Sequence, residues 1–343
     1  FATYQSSPVI ADALAKTRRR FDLVIADEAH RCAGVVSSAF ATVLDPKKIP
    51  ARKRIFMTAT QRYYTGRVIK EAKAAQGESE VASMDDEATF GPVFHRLTFG
   101  QAIEQKLLAD YRVVIVGIDD ARYRRYAEHG RLVTLQGGGK KTDARTLAAH
   151  LGLAKTMRRY DMQRVISFHG RVAGAKAFAT EVPHIIDWMP RRERPSGAIW
   201  AEAVSGAMAA GDRKTRLDRL RAVDTGERGL LSNARCLGEG IDVPTLDGIA
   251  FIDPKHSQVD IVQAVGRAIR KGDGTKTATI VLPVFVDTDA DGDEVLDASA
   301  YRAIASVLRA MRDHDDALGE ILDGLRRDLG ARKRPRLPTD KVV

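Results

Sequence analysis

The chain has 343 residues, 44% of them hydrophobic and 29% charged, a composition that supports about two packed domains and excludes wholesale disorder. Two cysteines, Cys32 and Cys236, exclude a disulfide framework and are too few for a zinc site of their own. The net charge is +10, and residues 1–75 hold 14 Lys or Arg against 6 Asp or Glu, a bias compatible with a polyanionic partner.

Short β-branched runs alternate with longer helical stretches along the chain. The first strand is read at Phe21 to Ala26, as a buried strand, and the second at Arg54 to Thr60. Further strands are read at Tyr111 to Ile118, Arg164 to Phe168, Gly197 to Ala203, Gly229 to Ser232, Gly248 to Ile252 and Thr277 to Val286. Amphipathic helices lie between them at Val172 to Thr180, Asp212 to Val223 and Val259 to Arg270. Strands alternating with helices predict a parallel sheet covered on both faces. Such sheets carry their functional residues at the carboxyl ends of strands.

Two segments interrupt the alternation. Ser83 to Pro92 reads as a loop. Tyr123 to Asp143, with its Gly137-Gly138-Gly139-Lys140-Lys141 run, reads as an insertion, and a lobe boundary is expected within 118–160. The end, Ala331 to Val343, mixes two prolines with basic residues and reads as disordered. The longest apolar runs, Val113 to Val116 and Val281 to Val286, are far too short to span a membrane. A reducing, cytoplasmic compartment is the expectation.

Four strand-end features carry chemistry. Asp27-Glu28-Ala29-His30 follows the first strand, and two adjacent carboxylates there need something positive beside them, such as a nucleotide-bound magnesium ion. Thr58-Ala59-Thr60 follows the next strand, with hydroxyls able to bond a neighbouring carboxylate or backbone. Leu237 to Pro244 places Gly238 and Gly240 around Glu239, where backbone can approach a ligand closely. In Gln263 to Arg270, a helix brings Gln263, Arg267 and Arg270 to one face, a surface suited to phosphate. Gly266 inside that helix costs about 1 kcal/mol against Ala and points to close packing.

Taken together, their order and spacing resemble superfamily 2 helicases and translocases. Asp27 to His30 resembles motif II of that family and Thr58 to Thr60 motif III. Arg164 to His169 resembles motif IV, and Glu239-Gly240-Ile241-Asp242 motif V. Gln263 to Arg270 fits the Q-x-x-G-R-x-x-R of motif VI, and Thr3-Tyr4-Gln5-Ser6 resembles the strand-contacting segment upstream of motif II. Within the family, Asp27 to Arg31, Ala102-Ile103 with Leu107 to Tyr111, Ser205 to Met208 and Leu231 to Arg270 resemble the motors of restriction enzymes and of bacterial helicases with helicase-associated domains.

The resemblance implies an α/β fold of two RecA-like lobes. Residues 1–118 would be the trailing part of the first, 119–160 a connection or insertion and 161–290 the second. Residues 291–330 would form a helical extension and 331–343 a basic disordered tail. It implies ATP and Mg²⁺ as cofactors. Asp27 would hold the metal through water, and Glu28 would orient or deprotonate the attacking water. His30 would couple the nucleotide site to the other lobe through Gln263. Arg267 and Arg270 would act on the γ-phosphate, Gly240 and Asp242 would sense nucleotide and nucleic acid, and Thr58 and Thr60 would link hydrolysis to lobe movement. Tyr4, Gln5, Phe168 and His169 are the candidates near the nucleic-acid track, with duplex DNA the expected partner. Nuclease, methylase or specificity domains would sit on the same or a partner chain.

One departure matters. The family's phosphate loop, G-x-x-x-x-G-K-[ST], is absent from these residues. Gly139-Lys140 imitates it, but Thr134 stands where its first Gly belongs, and Lys141 where Ser or Thr belongs. The expectation is therefore a fragment whose phosphate loop lies upstream of Phe1, whose first lobe leaves an edge or apolar face uncovered, and which alone has little or no ATPase activity. The alternatives are an RNA-directed remodeller and a catalytically inactive nucleic-acid-binding module. A second departure is Gln61, where related motors carry Pro, which implies only a local turn change. Asp287 to Gly292 imitates the start of a calcium loop, but Ala298 stands at its bidentate position and an acidic surface loop is the better reading. The two cysteines read as small buried hydrophobes.

Overall fold

Continuous apolar runs of four to six residues form strands buried on both faces, as a parallel sheet requires. The computed structural model describes residues 1–35, 39–64, 81–119, 144–234, 236, 246–253, 258–271, 277–288, 294–296, 298–330 and 341–342. Two units divide the chain, residues 1–96 and residues 97–343.

The first unit opens with a 3-10 turn at Tyr4–Ser6 and helix α1 at Ser7–Thr17, started by Pro8. Strands β1 (Phe21–Ala26) and β3 (Ala51–Phe56) pair in parallel, Phe21 opposite Ala51 and Ala26 opposite Phe56. Short strands β2 (Gly34–Val35) and β4 (Val81–Ala82) pair antiparallel, and α2 is a single turn at Glu87–Phe90, capped by Asp86. The core is small, built on Ala26, Ala29, Cys32, Val43 and Met84. The reading of β1 as a buried strand fails. Phe21, Leu23 and Ile25 are all exposed, as is Met57 just past β3, because among the described residues no layer covers that face of the two-stranded sheet. The uncovered apolar face is the one expected for the first lobe.

The second unit contains α3 (Phe99–Glu104), β5 (Tyr111–Asp119), α4 (Ala144–Arg159), β6 (Arg164–Phe168), α5 (Val172–Trp188), β7 (Ala198–Ser205) and α6 (Ala210–Arg221). It continues with β8 (Glu227–Ala234), β9 (Gly248–Phe251), α7 (Gln258–Ala268), β10 (Ala278–Thr288), β11 (Glu294–Leu296), α8 (Ala298–Arg312) and α9 (Asp316–Gly330). Strands run in the order β10-β9-β6-β8-β7, with β5 also against β10; these pairs are parallel, and β11 pairs antiparallel with the end of β10. Leu147 and Met157 of α4 and Phe178 and Val182 of α5 pack one core. Leu217 and Leu220 of α6, Ile261 and Val265 of α7 and Val307 of α8 pack another. Helices thus cover both faces, as the alternation predicts. Gly248 has no room for a side chain: a Cβ there would lie 2.2 Å from the Thr279 carbonyl oxygen.

Residues 97–118, placed with the first lobe by the sequence, belong to the second unit. Strand β5 lies along β10 from Tyr111 opposite Ala278 to Asp119 opposite Val286. Chain order alone does not disclose a pairing across so long a separation. Helix α4, assigned to the connecting segment, is part of the same packed layer. The glycine-rich run at 137–141 lies outside the described residues, as do most of the acidic loop after Asp287 and residues 331–340 of the tail. Lys341 and Val342, in contrast, are placed: the Val113 N–H donates to the Lys341 carbonyl at 2.6 Å, and Val342 bridges Val113 and is buried. Among the described residues, no helix is long and apolar enough to cross a membrane.

Candidate nucleotide and nucleic-acid site

In the first unit, the ends of β1 and β3 are tied together by backbone. The Met57 N–H donates to the Ala26 carbonyl at 2.9 Å, and the Ala29 N–H donates to the Met57 carbonyl at 2.8 Å. Between these bonds the chain turns through Glu28, which adopts φ 50 and ψ 45, the left-handed region. For a residue with a side chain this costs about 1 kcal/mol or more. The Glu28 N–H donates to Asp27 Oδ1 at 2.9 Å, which holds the turn. Asp27 itself stands exposed at the strand end.

His30 is 4% exposed. Its Nδ1 lies 3.0 Å from Thr58 Oγ1 and 3.3 Å from Glu28 Oε2. The Thr58 hydroxyl donates to the Thr60 carbonyl at 2.8 Å and accepts the Thr60 N–H at 3.2 Å. With its one proton committed, Thr58 Oγ1 accepts from His30, so Nδ1 carries the hydrogen. Motifs II and III of the resemblance therefore meet at His30: hydrogen bonds join His30, Thr58 and Thr60, and the Glu28 carboxylate lies beside the same His30 nitrogen.

Tyr4 is drawn into the same region. Its hydroxyl donates to the Asp27 carbonyl, its ring stacks on Phe40 at 6.0 Å, and Arg31 lies over Phe40 at 5.8 Å. Burial, with the neighbouring Cys32 thiol and the charges of Asp27 and Glu28, pushes the Tyr4 phenol well above its ordinary value, so it stays a donor. Burial pushes Cys32 up to about 11, partly offset by its bond to Tyr4. Cys32 is a buried thiol, as read. Gln5 is exposed.

In the second unit, α7 presents Gln263 and Arg267 four residues apart on one face, both half-buried. Arg270 does not share that face. The helix ends at Ala268, the Ala109 N–H takes the Ile269 carbonyl at 2.7 Å, and Arg270 forms an antiparallel bridge with Leu108. This backbone capture ends the helix two residues before the sequence pattern does. Gly266 faces Phe99, and a Cβ at Gly266 would sit 3.9 Å from that ring, an ordinary contact. The close neighbour exists but does not demand glycine.

Phe168 and His169, at the end of β6, are 6% and 3% exposed. Phe168 stacks on Phe251 at 5.6 Å. His169 Nε2 lies 2.9 Å from Ser167 Oγ, which donates to Ser232 Oγ at 3.0 Å, and its ring sits 4.9 Å from Phe178. Both side chains are spent on the interior. Gly240 and Asp242 lie outside the described residues. The flanking Cys236 N–H is caught by Asn233 Oδ1 at 3.2 Å.

The carboxylates suit a hard cation but do not enclose one. Among the described residues there is no cluster of three or more His, Cys, Asp or Glu able to hold a metal. Mg²⁺ commonly takes one or two carboxylates and completes its shell with water and phosphate, and exposed Asp27 fits that use.

The sequence reading missed the partners that fix these groups: the Met57 carbonyl and the brace residues Phe99, Asp313 and Asp315 described below. One signal was available, the Thr98-x-x-Gln101 capping box that starts α3, whose reciprocal bonds are 3.1 and 3.2 Å.

Parallel strands with helices on both faces form the second unit, and the ends of β1 and β3 meet in the first. Residues 151–272 match the helicase conserved C-terminal domain, and the whole chain resembles superfamily 2 helicases of the restriction-enzyme type. It is similar to the ATP-dependent Type ISP restriction-modification enzyme LlaBIII, solved bound to DNA, with 29% identity and a TM-score of 0.76 over 100% of this chain and 23% of that one. The Type ISP enzyme LlaGI, in complex with a DNA substrate mimic, gives 27% identity and a TM-score of 0.58 over 95% of this chain and 20% of that one. A probable helicase, A859L of African swine fever virus, is 27% identical over 297 residues, 84% of this chain and 28% of the viral protein. The chain thus spans about a quarter of the length of these relatives.

Proposed function

We propose that this chain is part of an ATP-driven motor that moves on nucleic acid, duplex DNA foremost. The observation that carries the reading is the meeting of the two strand ends at His30, which is hydrogen-bonded through Thr58 to Thr60 and has the Glu28 carboxylate beside it. In this reading the carboxylate that would act on the attacking water sits beside the histidine that is bonded to the end of the neighbouring strand. The two DNA-bound restriction-modification enzymes among its relatives support DNA over RNA.

In this reading Asp27 would hold Mg²⁺ through water, and the metal would supply neutralisation of phosphate charge. Glu28 would orient or deprotonate the attacking water. His30 stays fixed as an Nδ1 donor and passes the position of Glu28 to Thr58. Arg267 and Arg270 stabilise charge on the transferring phosphoryl group, an effect worth about 10³–10⁵ in rate for such arginines, and Gln263 orients beside Arg267. Gly240 and Asp242 read nucleotide and nucleic acid. Gln5 touches the strand, with Tyr4 holding its segment against Asp27. Contacts go to phosphate and sugar, since a motor tolerates any sequence.

The phosphate loop required for turnover is not among residues 1–343, and the uncovered face of β1 is a surface on which further chain of the motor would pack. Nuclease, methylase or specificity domains complete such a machine. The other reading is an inactive nucleic-acid-binding module. ATP hydrolysis by the motor carrying these residues and a phosphate loop, measured with duplex DNA, RNA and neither, tests the proposal. Stimulation by duplex DNA supports it, RNA stimulation alone moves the substrate, and binding without turnover favours the inactive module.

A further inference from the structure

Three consecutive residues, Asp313-His314-Asp315, form the turn between α8 and α9, and each grips a different element of the second unit. Asp313 Oδ2 accepts from Gln258 Nε2, at the start of α7, at 2.6 Å. The His314 carbonyl accepts the Phe99 N–H, at the start of α3, at 2.7 Å. Asp315 is 0% exposed, and its Oδ2 accepts from the Tyr111 hydroxyl at 2.6 Å and from Lys341 Nζ at 2.8 Å. Its Oδ1 takes the Leu318 N–H at 3.1 Å.

These contacts converge on the helix that bears Gln263 and Arg267. Helix α8 packs along α7, Gln258 ties the start of α7 to the turn, and Phe99 lies against Gly266 in its last turn. Just beyond α3, Ala109 and Leu108 capture Ile269 and Arg270 at its end. The α8–α9 turn and the 99–111 segment therefore hold the arginine helix at its start and along its last turn. Lys341 pins the arrangement: its ammonium neutralises Asp315, lies 4.4 Å above the Tyr111 ring and 3.6 Å from Asp110. Without Lys341 the turn would hold a buried carboxylate with no counter-charge, a strongly destabilising state.

We propose that Asp313, Asp315 and Lys341 are positioning residues for Arg267 and Arg270, and that the seating of Lys341 sets how firmly those arginines are held. This rests on the proposed motor function for its consequence but not for its structural test. A brace that fixes the arginine helix acts on the transition state and not on nucleic-acid affinity.

Two measurements test it. Hydrogen exchange on the 343-residue chain compares the parent with Lys341→Met and, as a milder variant outside the buried pair, Asp313→Asn. The expected result is exchange roughly tenfold faster at the Phe99 and Ala109 amides and along α7, with β6 and β8 unchanged. Acceleration spread evenly over the sheet, or none at α7, overturns the proposal. In the motor carrying the phosphate loop, Lys341→Met is expected to lower kcat about tenfold, leave the KM for nucleic acid unchanged, and be rescued by Lys341→Arg. Loss of nucleic-acid affinity with kcat unchanged overturns it. A parent motor without ATPase refutes the motor reading alone, since the exchange result is read without nucleotide.

Discussion

His30 Nδ1 lies 3.0 Å from Thr58 Oγ1, and the proton between them belongs to the histidine. This joins two sequence motifs 28 residues apart into one site, at the ends of neighbouring parallel strands. Thr58→Ala is expected to cost the first unit about 1 kcal/mol, the ordinary net worth of such a bond. It should also weaken the stimulation of ATPase by nucleic acid more than it weakens basal turnover. Denaturant midpoints and stimulated-to-basal rate ratios check this, and Thr58→Ser should retain both.

Glu28 holds a strained left-handed turn and faces His30. On the proposed role of Glu28 as the general base, Glu28→Gln should reduce hydrolysis by about 10²–10⁴. Nucleotide binding should persist, because the charge of Asp27 remains. Single-turnover hydrolysis beside equilibrium nucleotide binding separates the two.

Gly266 faces Phe99 with room for a methyl group. Gly266→Ala is therefore expected to stabilise the second unit by about 0.5–1 kcal/mol, because alanine is the better helix former and no clash opposes it. A thermal scan of the chain reads this as a raised Tm. A lowered Tm would mean the helix needs its glycine for a closer neighbour than Phe99.

Asp315 titrates with a defined sign. Burial raises its carboxyl, but hydrogen bonds from Lys341, Tyr111 and the Leu318 N–H, with the Lys341 charge, outweigh it and hold the group below its ordinary 3.8. The folded chain thus binds this proton less readily than the unfolded chain. Its stabilising contribution is complete above the unfolded value and is lost as pH falls through the folded one, so the urea midpoint should drop most steeply below about pH 4. Asp315→Asn should flatten that part of the profile. Tyr111 stays neutral throughout, since burial and the adjacent Asp315 raise its phenol.

The second unit was the more legible in sequence, and the reason is physical. Arg164 to Phe168 is buried on both sides, so its apolar run marks both ends of β6. Strand β1 carries the same kind of run but lies in a two-stranded sheet, so the pattern predicts burial that the described residues do not supply. Helix α7 announces itself by period, while its end is set by Ala109 and Leu108, about 160 residues earlier in the chain. Phe168 and His169 occupy the strand-end position that attracts functional readings, yet the phenyl of Phe251 and the hydroxyl of Ser167 hold them inside. The basic tail reads as disordered, and nothing local to Lys341 reveals a buried aspartate waiting at position 315. Local pattern reports which residues prefer the interior, and long-range pairing decides which interior they reach.

The most direct test of the motor account is duplex-DNA-stimulated ATP hydrolysis by Arg267→Ala, in the motor that carries these residues with a phosphate loop. The account predicts a fall of about 10³ or more in kcat, with nucleotide and DNA binding retained. Full stimulated turnover by that variant would contradict it.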